Sequence, residues 1–361
     1  MTRTFALRPL LATAATLTVV LGACSDDGGS SSGDQPAVTT AAASSAPTTP
    51  DTTDGATTES TIPPEPRPAT IDELLALDRP IVLAHTGGED AYPGSTLFSF
   101  GESVAAGVDM LDLNVLLTAD GVLVVQHDET VDRTTEGTGT VADLTFAEVN
   151  ALDNAYHFTA ACGACDDRPE SEYVFRGVRT GEVAPPDGYT ADDFAIPSFQ
   201  QLVERFPDLP LNIEIKGEGA PAMAAADELA RLLTELDRAQ ASVVTSFDDE
   251  VVAYFHTLLP EVEVAPGLDL ITAWVLGRTP LPAGMRILQL PPEFEGINVI
   301  TPELVADSTA AGYPIWVWPN KRDLENLTSY QTFLDMGVVG LNINFPVEGV
   351  QAVLDFVAAN P

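Results

Sequence analysis

From Ile81 onward the chain alternates short apolar, β-branched runs with amphipathic stretches. That alternation is the pattern of βα units around a parallel sheet. Strand-like runs fall at 81–86, 110–117, 122–127, 209–216, 242–247, 262–267, 286–290, 314–318 and 339–344. Helical spacing recurs between them at 96–106, 145–152, 198–206, 220–238, 249–258, 302–311, 323–335 and 347–358. About eight such repeats suit a TIM (β/α)8 barrel better than an open sheet. One stretch breaks the rhythm. Residues 155–195 are rich in Gly, Pro and aromatics and predict an inserted loop or subdomain, the kind of long connection that commonly carries function.

The barrel is expected to occupy 69–361. Residues 1–23 have the form of a lipoprotein-type signal peptide: Arg3 and Arg8 lead an apolar stretch from Leu10 to Leu21, too short to span a bilayer. It ends in Leu21-Gly22-Ala23-Cys24, which resembles a lipoprotein cleavage box, so Cys24 is expected to carry the lipid. The implied location is the extracytoplasmic face of the cell membrane, reached by export and held through an N-terminal lipid anchor. Residues 24–68 are dominated by Ser, Thr, Gly, Asp, Ala and Pro, too little apolar surface to fold, and predict a disordered tether. The remaining cysteines stand as Cys162-Gly163-Ala164-Cys165, and outside the cytosol a local disulfide is the expectation. A zinc site using His157 with both thiols lacks a clear fourth ligand. The chain has 54 acidic and 16 basic residues, for a net charge of −38. That balance argues against nucleic acid, whose phosphates need Lys and Arg. Nothing in the sequence sets an oligomeric state.

Side chains alternate along a strand, so residues at i and i+2 share a face. Polar or aromatic residues interrupt these apolar runs at that spacing: Asp112 with Asn114, Asn212 with Glu214 and Lys216, Trp316 with Trp318, Asn342 with Asn344. In a barrel such residues point inward near the C-terminal strand ends, where active sites of this fold sit. Of four histidines, His85 and His127 each end an apolar run. Asp112, Asn114 and Glu214 offer hard oxygens for a divalent cation, Ca2+ or Mg2+. Lys216 offers a point charge for phosphate. Two imidazoles can divide general acid and general base work in a displacement at phosphorus, beside a metal that stabilises developing charge.

Several segments, in order, resemble the glycerophosphodiester phosphodiesterase family across most of 80–346. They are His85-Thr86-Gly87, Gly107 through Val115, Thr118-Ala119-Asp120-Gly121, and Val124-Val125-Gln126-His127-Asp128 with Asp132-Arg133-Thr134-Thr135. Ile196-Pro197-Ser198, Glu214-Ile215-Lys216 and Ser246-Phe247 continue the series. The resemblance implies a TIM barrel and hydrolysis of small glycerophosphodiesters to an alcohol and glycerol 3-phosphate. It places the catalytic histidines on His85 and His127, the metal ligands on Asp112, Asn114 and Glu214, and the phosphate-contacting lysine on Lys216. Trp318 falls where relatives line the pocket with an aromatic, and 155–195 where the family inserts a substrate-covering subdomain.

The departures concern charge. Thr86 stands where the family has an arginine, removing a bidentate phosphate contact. Asp112 and Asn114 stand for Glu and Asp, so three carboxylates become two. Pro93-Gly94-Ser95-Thr96 replaces Pro-Glu-Asn-Thr, and Ile343-Asn344 replaces Thr-Asp. Glu89 and Asp90, or Arg176 and Arg179 of the insert, are candidates for partial compensation. Two further functions use the same residues: a non-catalytic lipoprotein that captures a phosphorylated ligand at a degenerate site, and a phospholipase D-like enzyme acting on phospholipids.

Overall fold

The computed structural model describes residues 67–361. The signal peptide, Cys24 and nearly all of the tether lie outside the described residues. The strands are β1 (Ile81–Ala84), β2 (Met110–Leu117), β3 (Leu123–Val125), β4 (Phe158–Thr159), β5 (Gly163–Ala164), β6 (Leu211–Ile215) and β7 (Ser242–Thr245). They continue with β8 (Glu263–Val264), β9 (Leu288–Leu290), β10 (Glu293–Phe294), β11 (Ile297–Asn298), β12 (Ile315–Val317) and β13 (Gly340–Ile343). The helices are α1 (Ile71–Leu75), α2 (Leu97–Ala106), α3 (Phe146–Ala151), α4 (Phe199–Arg205) and α5 (Gly219–Glu235). After them come α6 (Asp249–Leu258), α7 (Leu268–Gly277), α8 (Pro302–Ala311), α9 (Leu327–Asp335) and α10 (Pro346–Ala359).

Eight strands pair in parallel in the order β8-β7-β6-β2-β1-β13-β12-β9, a curled sheet of the TIM-barrel type. Among the described residues no ladder joins β8 to β9, so the curl stops at that seam. Helices cover the outer face because their apolar stripes need it. In α5, Ala222, Ala225, Ala226, Leu229 and Leu233 recur at helical spacing and are all buried. Side-chain caps fix several entry points, with reciprocal capping boxes at Thr96, Thr145 and Ser198.

Inside the curl the side chains lie in layers. At the bottom Leu83, Met110, Val243, Ala265, Ile287 and Trp316 form an apolar plug, closed from below by Ile71 and Leu74 of α1. Above the plug comes a belt of amides around one carboxylate. Asn212 Nδ2 donates to Asp112 Oδ1 at 2.5 Å and to Gln289 Oε1 at 2.9 Å, and Gln289 Nε2 donates back to Asn212 Oδ1 at 2.8 Å. The register explains the belt, because Asp112 sits opposite Asn212 across β2 and β6. The functional groups form the top layer.

All nine expected strand runs are present, with one change of role. The 122–127 run is β3, antiparallel to β2 through Val115–Val125, and stands outside the barrel order. The short connection over 118–122 permits only a hairpin, since a parallel return needs a long crossover. Helix α7 was not expected, because Leu-Asp-Leu-Ile-Thr-Ala-Trp-Val-Leu-Gly is apolar on nearly every side and shows no periodic face. Trp316 and Trp318 part company: Trp316 is buried in the plug, while Trp318 lies beyond the end of β12 and lines a cavity. In the insert, β4 and β5 form a short hairpin with Cys162 joined to Cys165. The insert rests on α2, where Phe98 meets Phe175, Tyr189 and Phe194 at 4.7–5.0 Å between ring centres.

Candidate active site

His85 leaves the end of β1 through a turn that only a short stretch of unusual backbone can make. Thr86 has φ 46°, and Gly87 and Gly88 follow at 83° and 85°. A β-branched residue in the left-handed region costs roughly 1–3 kcal/mol. The Thr86 hydroxyl is buried without a partner. Both costs fall on the residue that follows His85, and a Cβ on Gly87 would run into Ser99. Thr86 is fully buried and does not line the cavity, so it makes no replacement for the arginine that the resemblance implies at this position.

The ring of His85 is fixed by a relay. Its Nδ1 lies 2.8 Å from Asn344 Oδ1, while Asn344 Nδ2 donates to Asp90 Oδ2 at 2.9 Å. Asp90 is in turn ion-paired with Arg322. Because the amide nitrogen is committed to Asp90, its oxygen faces the ring, and Nδ1 is the protonated nitrogen. Nε2 is left for the cavity. Burial opposes a charge on His85, but Glu89 at 3.5 Å, Asp112, the Asn344 hydrogen bond and Glu325 outweigh it and push the pKa up.

β3 lifts His127 over the same mouth. The two rings lie 5.7 Å apart between centres, at 82° to each other. His127 Nδ1 is 2.6 Å from Asp128 Oδ1, and Arg133 Nε holds Asp128 Oδ2 at 2.5 Å. Burial opposes the Asp128 charge, but the hydrogen bonds from His127 and Arg133 hold this carboxyl well below the usual carboxylate range. An ionised Asp128 requires a proton on His127 Nδ1, which leaves Nε2 as an acceptor. Glu89 bridges the two halves, 3.6 Å from Arg133 as well as beside His85. Burial opposes its charge too, yet His85, Arg133 and His127 keep its pKa low.

Both histidines open onto a cavity of about 670 Å3 that is also lined by Asp112, Glu214, Lys216 and Trp318. Lys216 Nζ lies 2.9 Å from Glu214 Oε1. Trp318 meets Phe247 edge-on at 6.1 Å. Asn114 is brought opposite Glu214 in the β2–β6 register, but it is fully buried and not among the residues that line the cavity. Its Nδ2 has no partner. Burial pushes the Asp112 carboxyl up, with the Glu214 charge adding to it and His85, Asn212 and Asn342 opposing.

Among the described residues no group of three or more His, Cys, Asp or Glu is placed to hold a metal ion. The expected trio is two carboxylates and one amide, all hard oxygen donors. By donor chemistry that set suits a loosely held Ca2+ or Mg2+; Asp112 and Glu214 line the cavity and Asn114 does not. Arg176 and Arg179 reach elsewhere. The first donates to Tyr156 O and Glu170, the second to Asn150 O and Asp192. Cys162 and Cys165, being joined to each other, leave His157 no thiolate partner.

Sequence reasoning missed Asp128, Arg133, Glu325 and Arg322 as parts of this site. Asp128 and Arg133 stood within segments that resemble the family; Glu325 and Arg322 carried no local signal. Glu325 lies under the relay, accepting from Asn344 N at 3.0 Å and from Tyr330 Oη. Burial pushes its carboxyl up to about 7, against the hydrogen bonds from Tyr330 and Asn344.

At the barrel mouth two imidazoles, each held by its own acceptor, face a cavity also lined by Lys216, Asp112 and Glu214. The sequence model of the Glycerophosphoryl diester phosphodiesterase family matches residues 85–348. The chain is 26% identical to the Glycerophosphodiester phosphodiesterase of Bacillus subtilis (strain 168), over 76% of this chain and 86% of that one. It is 28% identical to the enzyme of the same name from Caldanaerobacter subterraneus subsp. tengcongensis, over 68% and 89%. Among solved structures, it is similar to the glycerophosphoryl diester phosphodiesterase domain of a Mycobacterium tuberculosis protein, with TM-score 0.59 and 19% identity over 76% of this chain and 99% of that one. An Oleispira antarctica phosphodiesterase in complex with the product sn-glycerol-3-phosphate gives TM-score 0.57 and 18% identity, over 76% and 97%. The chain belongs to the glycerophosphoryl diester phosphodiesterase family. It is a phosphoric diester hydrolase.

Proposed function

We propose that the enzyme hydrolyses glycerophosphodiesters to an alcohol and glycerol 3-phosphate, with His127 as general base and His85 as general acid. The observation that carries this reading is the opposite fixing of two rings 5.7 Å apart. His127 Nε2, backed by ionised Asp128, takes the proton from the attacking oxygen of water. The new P–O bond forms as the bond to the leaving alcohol oxygen breaks. His85, whose charged form is favoured by Glu89 and by the Asn344 hydrogen bond, gives that oxygen its proton from Nε2. Lys216 faces the phosphoryl oxygens as a point charge, and Trp318 forms the wall beside them. Asp112, Asn114 and Glu214 are the residues that would hold a divalent cation, which supplies neutralisation of charge on the phosphoryl oxygens.

The experiment is release of glycerol phosphate from glycerophosphocholine by the purified protein, with and without Ca2+ or Mg2+. Loss of turnover in both His85→Ala and His127→Ala, with folding intact, is the expected result. Absence of turnover by the wild type on every glycerophosphodiester, with either ion, would overturn the reading. We propose also that residues 1–23 direct export, that Cys24 carries a lipid, and that residues 24–68 tether the barrel to the extracytoplasmic membrane face. Cys24→Ser should move the protein from the membrane fraction to the medium, and an unchanged distribution would refute the anchor.

A further inference from the structure

We propose that the same cavity has a second compartment which binds one aliphatic chain carried by the phosphodiester, making single-chain lipid phosphodiesters its preferred ligands; this rests on the hydrolase reading above. The argument starts from α7. A helix apolar on nearly every side is stable in a soluble domain only when something covers it. Of its ten residues only Trp274 is buried, with Leu270, Ile271 and Val275 packed in part against the core. Trp274 turns toward the core and meets Tyr313 at 4.9 Å. Its other stripe, Leu268, Ile271, Thr272, Val275 and Leu276, has the spacing i, i+3, i+4, i+7 and i+8, and every member lines the cavity that holds His85 and His127.

The wall continues onto the β10–β11 hairpin, where Phe294 and Ile297 sit opposite each other and also line the cavity. This hairpin is pinned beside the site: Asn320 Nδ2 donates to Glu293 O at 2.7 Å, and Lys321 pairs with Glu293 at 2.7 Å. Leu276 is 70% exposed and Ile297 53% exposed. Phe247 bridges the two compartments, in contact with Trp318 on one side and with Lys216 5.9 Å from its ring centre on the other. So one cavity runs from a charged end, suited to a phosphodiester, to an apolar end, suited to methylenes.

A glycerophosphodiester is polar along its whole length and gains nothing from such a wall. A protein partner would meet a flat exposed patch, whereas these side chains face into a concavity continuous with the reactive groups. A single chain attached to the phosphodiester satisfies both ends at once. The chain could be carried by the glycerol, as in a lysophospholipid, or by the leaving alcohol.

The test is calorimetric titration of the wild-type protein with hexylphosphocholine and dodecylphosphocholine, both below micelle-forming concentrations. Each buried methylene multiplies affinity about fourfold, so burial of even two extra methylenes gives the expected gain of at least tenfold for the longer chain. In the double variant Leu276→Ser, Ile297→Ser, two exposed positions, that ratio should fall below threefold. Equal affinities for the two chains in the wild type would overturn the inference. Equal affinities with glycerophosphocholine still hydrolysed would leave the hydrolase reading standing. A chain-length preference with no phosphodiester turned over would sustain the binding inference and sink the hydrolase reading. Turnover of lysophosphatidylcholine against a glycerophospho-N-acylethanolamine assigns the chain to the glycerol or to the leaving group.

Discussion

Glu325 stores a pH dependence of stability that can be measured apart from catalysis. Its carboxyl is almost fully buried, lies under Asn344 and Tyr330, and has a pKa raised from 4.5 to about 7. Between those two values the folded chain keeps the proton while the unfolded chain has lost it. Ionisation therefore favours the unfolded state first, and stability falls as pH rises from about 5 to above 7. One pKa unit is worth about 1.4 kcal/mol, so this group removes roughly 2–3 kcal/mol of folding stability between pH 5 and pH 8. Glu325→Gln keeps an acceptor for Asn344 and Tyr330 and removes the titration. Urea unfolding of both proteins at pH 5 and pH 8 isolates the contribution, because every other group cancels in the difference. The variant should gain on the wild type by those 2–3 kcal/mol as pH rises. A wild-type-to-variant difference that stays constant within about 0.5 kcal/mol across that range would refute the placement of Glu325 as a neutral acid at its site.

Other outcomes follow from the site. His85→Ala and His127→Ala should each lower kcat/KM by about 10²–10⁴. In a pH–rate profile the first should flatten the alkaline limb and the second the acidic limb; the reverse assignment would exchange the roles of the two rings. Asn114→Asp restores a third carboxylate beside Glu214 and should tighten Ca2+ binding, read by calorimetry without substrate; unchanged affinity would show that this position does not ligate. Asp128→Ala removes the acceptor of His127 Nδ1–H and should cut kcat more than it changes KM, so a pure KM effect would exclude a role in fixing the ring. Lys216→Ala should raise KM for glycerophosphocholine, and an unaltered KM would place the phosphate elsewhere.

Much of the site was legible because strand alternation has a period of two. Asp112, Glu214, Lys216 and Trp318 were picked from i, i+2 spacing, and they line the same cavity. Alternation fixes a face but not a height. It therefore could not distinguish Trp316 in the plug from Trp318 at the mouth, or show that Asn114 is buried beside Glu214 without lining the cavity. The relay that holds His85 was illegible for another reason. His85 and Asn344 are 259 residues apart, and their contact exists only because β1 pairs with β13 as the sheet curls. Helix α7 escaped notice because an apolar sequence with no polar face has no period to detect.

The sequence by itself determined the barrel class, the order of its strands and helices, and the residue types able to do acid–base work at phosphorus. Local periodicity and residue chemistry suffice for those. The tertiary structure alone decided which nitrogen of each imidazole faces the cavity, since that depends on Asn344 and Asp128 as acceptors. It decided the ionisation of Glu325, since desolvation is a property of the closed fold. And it decided that the cavity holding both histidines has an apolar wall, because α7 and the β10–β11 hairpin, separate in sequence, line it together.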